Sequence, residues 1–344
     1  MGATNWMRSS FTPGLASVIV PAYNRAELLI ETLDSVKAQT YRPIELIVVD
    51  DGSEDDTAAR VEEWRTNNQD KQFTVLFEQQ SNQGANAARN RGLEVCSGEY
   101  IQLLDSDDLI HPDKLSTSIR CMKERHARAV VAHVFRFRDR SEIEELWSKS
   151  ENFRPHAQEP TRLPYITRLR WDGVIPLYTR SIVDELGPFD LDVGLSGSAE
   201  YAFRVKLSAS PIYYAPYVLY YYRRGVEVAA TRSSISRVTK SKLKLLEVMS
   251  KELASRGIEE KAEWRELTTA ALIAAYRADV VGDLRDEFLE ALALARKSAS
   301  RWNTLASFCL SIPPLVILSG MRVRYWLLAG VRRPAVRSRP AEDK

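Results

Sequence analysis

The 344 residues, 44% hydrophobic and 27% charged, have the balance of an ordinary globular protein, long enough for one large core with an appendage or for two domains. A formal net charge of +2 leaves no chain-wide surplus of lysine and arginine to neutralise phosphates, which argues against bulk nucleic-acid binding. Three scattered cysteines, Cys96, Cys121 and Cys309, make neither a disulfide framework nor a zinc-ligand spacing. They fit a reducing cytoplasm, and the opening MGATNWMRSSFTPG lacks the apolar run of a signal peptide.

Residues 17–22, SVIVPA, form a β-branched apolar run that predicts a strand, followed by an amphipathic stretch over 25–39. The run 44–49, IELIVV, predicts a second strand, and Asp51-Gly52-Ser53 then opens a helix over 54–68. A strand at 73–78, a helix at 82–95 and a strand at 99–104 continue the alternation. That alternation is the signature of a parallel sheet covered by helices on both faces. Ligands of such sheets bind beyond the carboxyl ends of the strands. Pro21-Ala22-Tyr23-Asn24, Asp50-Asp51 and Asp105 to Asp108 all fall there.

Further on, the pattern predicts a helix over 112–127, strands over 129–137, 174–180 and 212–222, and a helix over 198–208. Residues 140–170 are charged and proline-dotted and read as a loop-rich insertion. From 234 to 299 helical spacing predicts two or three helices. The stretch 305–320 is apolar but is broken by Pro313-Pro314 and too short to span hydrocarbon. A helix–break–helix lying in a membrane interface, held by arginines with Tyr325 and Trp326, is the better physical fit, and a core-covering helix pair is the alternative.

The chemistry concentrates in Asp105-Ser106-Asp107-Asp108. Carboxylates are hard ligands suited to Mg²⁺ or Mn²⁺, and residues two apart on an extended segment point the same way. The bland alternative is an acidic N-cap for the helix at 112. Asp50-Asp51 is a second acidic pair at a strand end; the acidic pocket of a receiver domain fits it poorly, and an N-cap is the other plain reading. In SNQGANAARNRGL, Gly84 marks a tight helix entry and Arg89 lies inside the helix toward the same crevice, while Ala87 and Ala88 suit packing on the sheet. His111 reads as a residue beside the site or on the surface.

Order and spacing carry more than any one piece. SVIVPAYNR, IELIVVDDGSEDDT, NQGANAARNRGL, SGEYIQLLDSDDLIHPDKL and ELGPFD together resemble family 2 glycosyltransferases, densely over residues 16–116 and more loosely over 174–224. The resemblance implies a GT-A fold: a mostly parallel Rossmann-like sheet flanked by helices, with inversion at the sugar's anomeric carbon. It implies a domain over 16–230, with a nucleotide-sugar half at 16–116 and an acceptor half at 117–230. Around it lie an N-terminal extension at 1–15, a helical extension at 231–300 and the apolar, basic tail at 301–344. Carried to matching positions, Pro21, Ala22 and Tyr23 line the nucleoside pocket and Asp51 bonds the base. Arg89 helps hold base or diphosphate, Asp105 sits at the ribose, and Asp107 binds the metal on the diphosphate and counts as catalytic. Gly84 and Ser106 complete the donor set.

The pattern departs at SGSAEYAFRVKL, where the family's acidic pair is Ala199-Glu200 and its later arginine is Lys206. Glu200 thereby occupies the place of the general base that takes the acceptor's proton. Arg223-Arg224 match a basic loop near the diphosphate, though Gly225-Val226 replace the histidine that follows it. Trp171-Asp172-Gly173 suits either an acceptor sugar or a packing role. The resulting expectation is a metal-dependent inverting glycosyltransferase, peripheral on the cytoplasmic face of a membrane. It moves sugar from a nucleotide-sugar, most often a UDP-sugar, to a glycan or lipid-linked acceptor in surface polysaccharide synthesis. The rivals are a non-catalytic sugar-nucleotide-binding protein and a polyprenyl-phosphate glycosyl synthase, whose acceptor needs no base.

Overall fold

A computed structural model of the chain describes Met7 and residues 11–148, 176–208, 211–225, 235–257 and 293–294. The β-branched runs become the strands of one sheet. β1 (Thr12–Ala22), β2 (Ile44–Asp50), β3 (Phe73–Gln79) and β4 (Gly98–Leu103) lie in the order β3-β2-β1-β4, all parallel. Every residue of β2 is buried, as a strand covered on both faces requires. Helices α1 (Leu28–Lys37), α2 (Thr57–Asn68) and α3 (Ala85–Val95) connect the four. In α1 the buried residues Leu29, Thr32, Leu33 and Val36 are three and four apart, so one stripe faces inward.

Beyond β4 the direction changes. In chain order come β5 (Leu109–Ile110), α4 (Lys114–Arg125), β6 (Ala129–Phe137), α5 (Arg140–Ser148), β7 (Leu177–Thr179), α6 (Arg180–Leu186), a 3-10 turn, α7 (Gly197–Leu207) and β8 (Ile212–Arg223). The short β7 joins the two halves of the sheet, antiparallel to β4 on one side and to β6 on the other. β8 runs parallel to β6, and β5 closes the far edge antiparallel to β8. The Rossmann-like expectation thus holds for β1–β4, while the second half is a mixed sheet.

Two local expectations need correction. Residues 140–148, read as loop, form α5, because Ile143 is buried with Leu109, Phe137 and Tyr221 and Leu146 packs against them in a small cluster of their own. The rest of that stretch, Trp171-Asp172-Gly173 included, lies outside the described residues. Of the strand expected over 174–180, the described residues, from 176 on, form β7, and the chain bends at once into α6, where Ile182 and Val183 are buried. Of the expected C-terminal helices, α8 (Ile235–Ser255) is described; the tail at 301–344 lies outside the described residues. The chain divides into two compact units, Met1–Leu245 with the sheet and Leu246–Lys344. Among the described residues no helix is long and apolar enough to cross a membrane.

Candidate active site

The loops after β1, β2 and β4 meet at the carboxyl ends of these parallel strands. Pro21 and Ala22 are buried and pair with Val49 and Asp50, and Tyr23 leaves the strand half-buried. Asn24 follows in the left-handed region (φ 50°), which asparagine tolerates. Its amide donates to Ser53 Oγ at 2.9 Å and its Oδ1 accepts from the Glu54 amide at 2.8 Å. The Arg25 amide donates to Thr57 Oγ1 at 2.9 Å. The first two loops are therefore latched by polar contacts before any ligand arrives.

Asp51 is buried at the end of β2 and is not a helix cap, since α2 starts only at Thr57. Its Oδ1 accepts from the Gln83 amide at 2.9 Å and Gln80 Nε2 at 2.7 Å, and its Oδ2 from the Gly84 amide at 2.8 Å. A carboxylate offers about four lone-pair sites, so about one remains for a ligand donor. Gly84 adopts φ 93° at the mouth of α3, and an added Cβ would meet nothing within 4 Å. Backbone conformation, rather than crowding, calls for glycine there. Asp50 faces the fold instead, its Oδ1 accepting from the Ser53 amide at 3.0 Å.

The acidic turn after β4 divides its carboxylates three ways. Asp105 Oδ1 accepts from Arg89 Nη2 at 2.8 Å. Arg89 is buried, gives Nη1 to Asn86 Oδ1 at 3.0 Å, and lies over the Phe189 ring at 5.7 Å. Its buried Nε has no hydrogen-bond partner. Arg89 thus holds Asp105 rather than presenting a free cation to base or diphosphate. Asp107 lies 3.8 Å from Arg25 Nη2. Burial first, and then the charge of Asp105, push the Asp107 carboxyl up to about 6, against the pull of Arg25. Asp108 is fully buried: its Oδ2 accepts from Tyr220 Oη at 2.8 Å and its Oδ1 from the Arg223 amide at 2.9 Å. Ser106 is buried between them. The helix-cap alternative for this turn does not hold, because α4 begins at Lys114 behind Asp113.

Glu200 lies in the first turn of α7. It is 2% exposed, and Arg204 clasps it, with Nε 2.6 Å from Oε1 and Nη2 3.0 Å from Oε2. Arg204 also donates to the carbonyls of Leu186 at 2.6 Å and Pro188 at 2.8 Å, tying α7 to the turn after α6. The expectation of a free carboxylate facing the acceptor is not what this geometry presents. The start of α7 does approach α3: a Cβ on Gly197 would sit 2.0 Å from Asn86 Oδ1. Asn86 Nδ2 reaches the carbonyls of Asp190 at 3.0 Å and Gly194 at 2.9 Å, so the ELGPFD turn packs against the helix that carries Arg89. Arg223 is likewise engaged, its Nη2 2.8 Å from Glu31 Oε2. His111 sits beyond the turn with its ring 5.8 Å from that of Trp147.

Sequence reasoning passed over Arg25, Asn86 and Tyr220. Arg25 directly follows PAYN, but nothing in spacing says that residue 25 meets residue 107. Tyr220 was visible only as part of an aromatic strand.

Residues 17–187 match the family description glycosyl transferase family 2, and over that span the chain belongs to the family. A Streptococcus pneumoniae relative, glycosyltransferase GlyG, is 36% identical over 123 residues, which cover 36% of this chain and 40% of the relative. A Campylobacter jejuni relative, named GalNAc(5)-diNAcBac-PP-undecaprenol β-1,3-glucosyltransferase, is 37% identical over 119 residues, 35% of this chain and 36% of the relative. These matches span less than half the length of either relative. Among solved structures, S. aureus TarS in complex with UDP-GlcNAc superposes with a TM-score of 0.59 at 17% identity, covering 91% of this chain and 89% of that one. A Pyrobaculum calidifontis mannosyltransferase in complex with GDP-Man and Mn²⁺ gives 0.52 at 19% identity, covering 95% and 88%. The fold is of the GT-A type that these structures share.

Proposed function

We propose that the protein is an inverting glycosyltransferase that moves a sugar from a UDP-sugar to a glycan or lipid-linked acceptor in surface polysaccharide synthesis. The observation that carries this reading is the division of the acidic turn. Asp105 and Asp108 are tied to the fold, and Asp107 is held beside Arg25 among the loops that follow β1, β2 and β4. The residues present fit a divalent cation, Mg²⁺ or Mn²⁺. Two like charges stand close enough for Asp105 to raise Asp107, and a cation relieves that repulsion. Among the described residues no three His, Cys, Asp or Glu side chains converge. The protein's share would then be the one or two carboxylates that Mg²⁺ commonly takes beside substrate phosphates. When bound, such a cation supplies Lewis-acid stabilisation of charge on the departing diphosphate.

The chain's own residues do the rest. Pro21, Ala22 and Tyr23 form one wall for the nucleoside, and the unspent lone pair of Asp51 suits a ring N–H donor of the base. Asp105, anchored by Arg89, faces the ribose. Transfer breaks the bond from the anomeric carbon to the diphosphate oxygen while an acceptor oxygen bonds the opposite face. A hydroxyl acceptor must pass its proton to a base. Glu200 takes that role only if Arg204 releases it.

The Glu200–Arg204 clasp favours a second reading as well: an acceptor already ionised, such as a lipid phosphate, needs no base, and a non-catalytic donor-binding protein needs none either. The tail at 301–344 is proposed, from its sequence, to lie on the inner face of the cell membrane. A thermal-shift screen of the full chain against UDP- and GDP-sugars with Mn²⁺ tests the donor reading, because a ligand stabilises by RT ln(1 + [L]/Kd). Wild type should shift and Asp107→Ala should lose the Mn²⁺-dependent part. If the wild type shows no shift with any nucleotide-sugar, the reading fails. Acceptor assays then separate hydroxyl from phosphate acceptors.

A further inference from the structure

The geometry points to Arg223 as a positioning residue that, with Tyr220 and Glu31, sets where Asp107 stands; the inference rests on the donor site proposed above. Every polar group of Asp108 is spent. Its amide donates to the Asp105 carbonyl at 3.1 Å, its carbonyl accepts from Thr32 Oγ1 at 2.9 Å, and its two carboxylate oxygens accept from Tyr220 Oη and the Arg223 amide. The peptide before it is pinned too, because Arg223 Nε donates to the Asp107 carbonyl at 2.9 Å. Asp107 therefore has its own carbonyl and the whole following residue fixed, and its side chain is what the turn presents.

Arg223 is itself held from three directions. Nη2 bonds Glu31 Oε2 on α1, the backbone amide bonds Asp108, and the guanidinium lies 4.7 Å over the Phe137 ring. Its side chain is only 9% exposed. A diphosphate contact is the role that its place after YYY suggests, but Nε and Nη2 are turned to the Asp107 carbonyl and Glu31. A planar fork that spans a peptide carbonyl and a carboxylate is a task lysine cannot copy with one nitrogen. Placement matters at this scale, since a displacement of about 1 Å can cost roughly 10²-fold in rate. β8 thus governs the acidic turn through the side chains of Tyr220 and Arg223 and the Arg223 amide.

The experiment compares wild type, Arg223→Lys, Arg223→Gln and Glu31→Gln in the full chain by two readouts. Hydrogen exchange of the peptide covering residues 104–110 reports the positioning itself, and affinities for Mn²⁺ alone and for UDP report the site. The expected result is exchange at least tenfold faster at 104–110, with the sheet strands still protected. Mn²⁺ affinity should fall about tenfold in Arg223→Gln, with Arg223→Lys and Glu31→Gln in between. Unchanged exchange in that peptide overturns the inference. So does faster exchange spread evenly over the sheet, which would mean that Arg223 merely stabilises the fold. If Arg223→Gln does not fold, Tyr220→Phe, which loses the bond to Asp108, and Glu31→Gln, which loses the charge facing Arg223, carry the intermediate expectation. A wild type that binds neither Mn²⁺ nor UDP would sink the donor-site reading, and the exchange data would still decide the positioning.

Discussion

Asp108→Ala and Asp108→Asn should behave very differently. Asp108 has no exposed surface, and its carboxylate receives the Tyr220 hydroxyl at 2.8 Å and the Arg223 amide at 2.9 Å. Alanine leaves both donors buried without an acceptor, at about 1–3 kcal/mol each, so a loss of about 2–6 kcal/mol is expected. At roughly 2–4 °C per kcal/mol for a domain of this size, Tm should fall by about 4–24 °C. Asparagine has nearly the same shape. Its oxygen can keep the Arg223 amide while its NH₂ donates to the Tyr220 oxygen, so both heavy-atom contacts are kept. It also removes a charge that burial disfavours and that Asp105 and Asp107 repel, effects that together raise the Asp108 carboxyl well above its ordinary value. Asparagine should therefore cost under about 1 kcal/mol. Thermal and urea unfolding of the full chain measure both variants. Equal destabilisation by the two would show that charge, and not hydrogen-bond satisfaction, fixes Asp108.

Three further outcomes follow from single groups. Asp107 carries a carboxyl pushed up from 3.8 to about 6, and metal ligation needs it ionised, so Mn²⁺-dependent UDP binding should weaken by up to about tenfold per pH step below 6. The folded state binds this proton more tightly than the unfolded chain, so the same group lowers stability as pH rises from about 4 to about 6; a flat Mn²⁺ profile over that window would refute the assignment. Glu200→Gln should lower kcat by about 10²–10⁴ with unchanged Tm if Glu200 is the base. It should lower Tm with kcat nearly intact if the Arg204 clasp is its whole purpose, and assay plus melt in one sample separates the two. Lys114 is fully buried, gives Nζ to Ser118 Oγ at 3.2 Å, and is pushed down to about 7 by burial. Since the unfolded chain binds that proton more tightly, stability should drop as pH falls from about 10 to about 7. Lys114→Met should raise Tm near pH 7 by roughly 3–8 °C, an advantage that shrinks toward pH 10 and is checked by melts across that range.

The strand–helix alternation of the first hundred residues was legible because each run is long and its period clear. IELIVV is buried throughout in β2, and the two-turn spacing of Leu29, Leu33 and Val36 appears directly as the inner stripe of α1. The short pieces were not legible. β5 has two residues and exists only because β8 offers an edge, and α5 shows too few apolar positions for its period to stand out. The residues proposed for the donor side could be grouped because they sit at strand ends, which sequence order reveals. What the side chains do there could not be read. Arg89 and Arg223 looked like free cations near a diphosphate, yet each is bound to a carboxylate remote in the chain, Asp105 and Glu31. Glu200 shows the same limit at close range. Glu200 and Arg204 are four apart on one helix, a spacing visible in the sequence, but its burial follows from the turn at Leu186 and Pro188 folding back on α7.

The bond from the Arg223 amide to Asp108 joins residues 115 positions apart. During synthesis the loops after β1 and β2 emerge early, and β1, β2 and β3 have every strand partner they need once β4 is made. The acidic turn does not. At about 5–20 residues per second, the ribosome delivers its anchor roughly 6–23 s after the turn itself. Until then the turn is held by Arg89 and Thr32, and the Asp108 carboxylate has neither of its donors. A nascent or prematurely terminated chain can therefore build the loops after β1 and β2 without the full anchor of the group proposed to act on the diphosphate. β8 thus makes completion of the proposed donor site coincide with completion of the sheet.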